Sequence, residues 1–170
     1  METKNNIHFL YPASLFVTEK PFLVNTLLGS CVSICLWDKI LKIGGINHFM
    51  LPFWNGEGLA SPKYGNIAIE KLLDEMINLG SKKYNLIAKI FGGGAVIDTK
   101  TDSFNIGTRN IKIAIDILND KKIPIVAKSI GGDLGRKIQF NVKSGEVKMR
   151  YIKKQNYQIP NIKLTFDKNR

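Results

Sequence analysis

Cys31 and His48 are the side chains of this chain whose types and spacing suit chemistry. A thiol paired with an imidazole suits acyl transfer: the sulfur attacks a carbonyl carbon, the imidazole moves the protons, and N–H donors hold the oxyanion. Gly29 and Ser30, just before Cys31, are small enough to bring backbone N–H groups close to the sulfur and to a developing oxyanion, although they equally suit a plain turn into a strand. Asn25 and Thr26 lie upstream, where a third group that orients the imidazole is expected. Phosphatase chemistry of the common cysteine-loop type is disfavoured, because the position that should carry its phosphate-cradling arginine is Trp37.

These groups work only if the chain folds them together. Residues 31–37 are apolar and partly β-branched, and a second such run, 43–51, follows the polar-flanked link 38–42, which predicts a β-hairpin. With its turn centred near Lys39 and Ile40, Cys31 falls opposite His48 or within two residues of it, and same-face neighbours across an antiparallel pair lie about 5–8 Å apart at Cβ. A slip of one residue would put them on opposite faces. A buried cysteine beside a core histidine is the alternative that sequence alone leaves open.

The chain has 170 residues, 44% hydrophobic and 23% charged, the make-up of one globular domain. No apolar run approaches the roughly 20 residues that cross a bilayer, and the first residues lack a signal-peptide plan, so membrane insertion is not expected and the cytoplasm is. There both cysteines stay reduced. Cys31 and Cys35, about 13 Å apart along one strand, are too distant for a disulfide. No ligand spacing suggests a metal, and the proposed chemistry needs no cofactor. The net charge of +11 favours an acidic partner, but the lysines are scattered and nucleic acid is not expected.

Further along, residues 52–62 read as a loop leaving the His48 strand. Ile69, Leu72, Leu73 and Met76 recur at helical spacing before Gly80, and Ile111, Ala114, Ile115 and Leu118 repeat the pattern. Between these helices a buried-type strand, 86–91, runs into Gly92, Gly93 and Gly94, a triplet suited to close backbone packing. A strand at 123–127, a glycine-rich loop and a half-buried hairpin with its turn at 143–146 follow. The expected fold is α/β: a single-domain layered sandwich of mixed and antiparallel β-sheet with two main helices.

The motifs LLGSCVSICLWD, GGINHFMLP, KYGN, AKIFGGGA, NIGTRN and IGGDLGRK, in that order over residues 13–152, closely resemble those of the chemoreceptor glutamine deamidase family CheD. The resemblance implies a cysteine hydrolase that converts glutamines of methyl-accepting chemotaxis receptors to glutamate, releasing ammonia. It also implies a partner, a CheC-type phosphatase. Position by position, the nucleophile is Cys31 and the base His48. The third catalytic residue falls on Asn25 or Thr26, of which Thr26 keeps the family's hydroxyl. Gly29 and Ser30 are expected to supply oxyanion contacts, residues 1–152 to form the deamidase domain, and 153–170 a basic tail or edge extension. The competing class is a docking module that binds receptor or phosphatase without catalysis.

Overall fold

The computed structural model describes residues 6–96 and 105–153. The expected tail beyond Lys153 lies outside the described residues. Among these described residues nine strands and two α-helices follow in the order β1 (Asn6–Phe9), β2 (Ser14–Thr18), β3 (Phe22–Leu28), β4 (Val32–Asp38), β5 (Gly44–His48), α1 (Gly65–Asn78), β6 (Leu86–Gly92), α2 (Asn105–Asp120), β7 (Ile125–Ile130), β8 (Gly135–Asn141) and β9 (Val147–Ile152). The strands divide into a five-stranded sheet, β2-β5-β4-β6-β7, and a four-stranded sheet, β1-β3-β8-β9. Each sheet is mixed: β6–β7 and β1–β3 are parallel, and the remaining pairs antiparallel.

Three layers result, as expected of a layered α/β sandwich. One face of the five-stranded sheet, with Val32, Ile34, Leu36, Ala88 and Ile90, packs under Leu72 and Met76 of α1 and Ala114 and Leu118 of α2. Its other face, with Cys35, Ile46 and Phe91, packs on Val24, Leu28, Ile138 and Phe140 of the four-stranded sheet. β4 lies between both layers, so its sequence is a nearly unbroken apolar run instead of an alternation. The hairpin β8–β9 ends the four-stranded sheet, with β9 at the edge.

Local chemistry closes each helix. At the end of α1, Ser81 N–H donates to Met76 O (3.1 Å) and Gly80 N–H to Ile77 O (2.9 Å), with Gly80 at φ +103°. This is a Schellman closure in which glycine takes the left-handed position. α2 ends with the same two bonds, Ile123 to Leu118 and Lys122 to Asn119, but a lysine holds the positive φ. The second closure had no glycine to announce it, and the strand that follows starts at Ile125, two residues later than expected.

Candidate active site

In the hairpin β4–β5, Cys35 faces Ile46, Leu36 faces Gly45 and Trp37 faces Gly44. The turn is set by Asp38, whose Oδ1 accepts the N–H groups of Ile40 and Leu41 at 2.9 Å each while its own N–H donates to Ile43 O. This centres the turn between Ile40 and Leu41, one residue further along than the sequence suggested. Position 50 therefore faces Cys31, and His48 stands two residues from it, within the expected range. The register moves by two, so parity is kept and Cys31 and His48 stand diagonally on one face.

That face looks into the space between the sheets. The backbone pair Val32–Phe49 is closed by two bonds, 3.0 and 3.1 Å. Next to it the ladder opens: Ile34 N–H donates to Asn47 Oδ1 (2.8 Å) in place of a strand carbonyl. Across the gap, on β3, Thr26 is fully buried and its Oγ1 lies 2.7 Å from His48 Nδ1 and 2.7 Å from Leu10 O. Asn25, one residue earlier on the same strand, points to the opposite face and accepts a hydrogen bond from Gln139 Nε2.

The hydrogen-bond network decides the tautomer. A hydroxyl has one proton, and the Leu10 carbonyl can only accept, so Thr26 donates there. Toward His48 the hydroxyl must accept, which places the imidazole proton on Nδ1 and leaves a lone pair on Nε2. His48 Nε2 is buried and has no hydrogen-bond partner among the described residues.

Burial holds both groups neutral. The His48 imidazole is 1% exposed and is pushed down to about 4 by desolvation. Desolvation also pushes the Cys31 thiol up, although its own backbone N–H, lying against the sulfur, pulls the other way. The resting site is thus thiol plus imidazole.

The depressed His48 pKa has a consequence for stability. Between pH 6.5 and about 4 the unfolded chain binds a proton at His48 that the folded chain refuses. Stability from this group is therefore full above pH 6.5 and falls as pH drops through that window, by on the order of 3 kcal/mol. Urea midpoints at pH 7 and pH 4.5 are expected to drop more in the wild type than in His48→Gln, and equal drops would show that the imidazole is not held neutral.

The backbone before the sulfur is pinned from outside. Gly94 N–H donates to Gly29 O (2.9 Å), Asn110 Nδ2 to Ser30 O (3.0 Å), and Gly93 N–H to Cys31 O (2.8 Å). No cis peptide is present among the described residues, so within each peptide plane here the N–H opposes the C=O. Fixing each carbonyl thus directs the N–H of its own peptide plane the opposite way, the Ser30 N–H away from Gly94 and the Cys31 N–H away from Asn110. The glycine triplet can come this close only because it lacks Cβ atoms. At Gly92, φ is +109° and a Cβ would overlap the Cys31 carbonyl oxygen. Gly107, in the first turn of α2, meets the triplet in turn, its Cβ position 2.5 Å from Gly93 O.

Two comparisons decide the family. The family model described as CheD chemotactic sensory transduction matches residues 50–151. The chain is 46% identical to a protein of Trichlorobacter lovleyi over 88% of this chain and 92% of that one. It belongs to the CheD family. A protein of Sulfurimonas denitrificans is 43% identical, covering 88% and 96% of the two chains, and one of Rhodospirillum rubrum is 40% identical, covering 85% and 81%. All three carry the name "Probable chemoreceptor glutamine deamidase CheD".

Two features of this CheD-family site escaped the sequence reading. Suitability for close packing names no partner for the triplet, and its partner is the backbone of the Cys31 segment. Asn110, inside NIGTRN, precedes Ala114 and Leu118 by one and two helical turns, and all three are fully buried. A polar residue on the core stripe of an amphipathic helix was the available signal. Among the described residues no three His, Cys, Asp or Glu side chains gather to hold a metal, and no helix is long and apolar enough to cross a membrane.

Proposed function

We propose that the chain is a cysteine-dependent protein-glutamine deamidase acting on the cytoplasmic helices of chemotaxis receptors. The observation that carries this reading is the His48 imidazole. Thr26 holds it as the Nδ1–H tautomer with a bare Nε2, on the face of the hairpin where Cys31 stands. In the first half-reaction Cys31 Sγ attacks the side-chain amide carbon of a glutamine while its proton passes to His48 Nε2. The backbone N–H groups of the Gly29–Cys31 segment, whose carbonyls are held by Gly94, Asn110 and Gly93, stabilise the oxyanion. Collapse of the tetrahedral species breaks the C–N bond, His48 returns the proton to the leaving nitrogen, and ammonia departs from a thioester.

In the second half-reaction His48 Nε2 takes a proton from water, the hydroxide adds to the thioester carbon, and the C–S bond breaks. The proton returns to sulfur and the product is glutamate. The net change is glutamine plus water to glutamate plus ammonia. The chain's net charge of +11 suits an acidic helical substrate, chiefly by speeding encounter. A CheC-type phosphatase as partner rests on the family resemblance alone. The test is intact-mass analysis of receptor cytoplasmic fragments incubated with the protein under reducing conditions. A gain of about one mass unit per site with matching ammonia release is expected from amide hydrolysis. Unchanged masses across several receptors would overturn the reading in favour of a docking module.

A further inference from the structure

We propose that Asn110 is a positioning residue of the site, orienting the Cys31 N–H by holding the Ser30 carbonyl. The β4–β5 ladder stops at Val32–Phe49, and the strand donor that would next reach Ser30 O is diverted, because the N–H groups of Met50 and Leu51 both donate to Lys63 O. Asn110 takes over. Its Nδ2 donates to Ser30 O at 3.0 Å and to Met50 O at 2.9 Å, joining the entry of the Cys31 strand to the segment that leaves His48.

The peptide between Ser30 and Cys31 is one rigid plane, with its carbonyl on Asn110 and its N–H on the opposite side, against the Cys31 sulfur. The neighbouring carbonyls are held by backbone donors of Gly93 and Gly94, so Asn110 is the one side chain among the three donors. An amide nitrogen suits the task because one neutral atom supplies two donors. The opposite atom of the same amide, Oδ1, is buried and has no hydrogen-bond partner among the described residues. The arrangement therefore serves the carbonyls and not the amide's own satisfaction. Without this bond the plane is free to rotate, taking the N–H away from the sulfur and from a developing oxyanion.

The consequence for turnover rests on the deamidase reading, but the thiol titration does not. Iodoacetamide reports Cys31 alone, because Cys35 is fully buried and its thiol is pushed far up. The rate of alkylation against pH, measured on the full chain, is expected to show the Cys31 titration about one pKa unit higher in Asn110→Ala than in the wild type, roughly a tenfold loss of thiolate at neutral pH. In receptor deamidation the same variant is expected to lose kcat with KM little changed. Asn110→Ser, which keeps one donor, is the second variant and is expected to fall between the two. Superimposable titrations in a folded variant would overturn the proposal. So would failure of both variants to fold, which would make Asn110 a tie between α2 and the sheet and nothing more. A shifted titration with no wild-type deamidation would uphold the positioning role and remove the deamidase reading.

Discussion

Cys31→Ala is expected to fold as the wild type does and to release no measurable ammonia from receptor glutamines. The side chain is only partly buried and sits at the margin of the inter-sheet core, so trimming the sulfur leaves stability within about 1 kcal/mol. The loss of rate is expected to be on the order of 10⁴–10⁶-fold, the scale on which removing a covalent nucleophile stops catalysis. Cys31→Ser should be inactive as well. An imidazole held at about 4 is a weak base, and it draws a proton from sulfur only because attack on the amide makes that proton more acidic. A hydroxyl starts too far away. Ammonia release by the variant, with receptor binding unchanged, is the quantity to measure, and a rate near that of the wild type would end the acyl-transfer reading.

Much of the framework can be read from the chain because local rules set it. Gly80 announced the end of α1, the apolar stripe of α2 matched its buried face, and the unbroken run in β4 matched a strand covered on both sides. The turn lies one residue further along than its expected centre because Asp38 accepts from Ile40 and Leu41, a choice of turn that residues 38–42 alone do not force, and His48 falls two residues from the position facing Cys31, inside the expected range. The division of nine strands into two sheets was hidden. Strands of both sheets share one inter-sheet core, and β3 finds β8 only through pairs such as Val24–Phe140, far apart in sequence.

At the site, what sequence leaves open is a matter of facing. Residue type alone lets either Asn25 or Thr26 stand beside a histidine, with Thr26 favoured for its hydroxyl, and once β3 is placed alternation sends Asn25 to Gln139 and Thr26 to His48. The thiol's environment was likewise beyond the sequence, since the raised pKa comes from two sheets closing over it. The Cys31 segment is shaped less by its own residues than by donors from the end of β6 and the first turns of α2. Gly-Ser-Cys supplies small size and a thiol, and Gly93, Gly94 and Asn110 supply direction.

The largest structural effect outside the thiol itself is therefore expected at Gly92. In Gly92→Ala the new Cβ would overlap the Cys31 carbonyl oxygen and stand 3.2 Å from its carbonyl carbon, and the backbone at φ +109° disfavours any side chain. Neither neighbour is a flexible tip: both are backbone of Cys31 itself. Relief requires β6 and the Cys31 segment to part, which breaks the Gly93–Cys31 bond and turns the Ser30 and Cys31 N–H groups out of line. The expected cost is about 3–5 kcal/mol of stability, with strain at the positive φ contributing roughly 1–3 of it. Gly56→Ala separates the two contributions. Its φ is +92°, but nothing lies within 4 Å of the new Cβ, so only the backbone strain remains. Urea denaturation of both variants, with Cys31 alkylation in the folded state, measures the difference. If Gly92→Ala were no less stable than Gly56→Ala and kept the wild-type thiol titration, close approach of the triplet would not be what holds the Cys31 backbone in place.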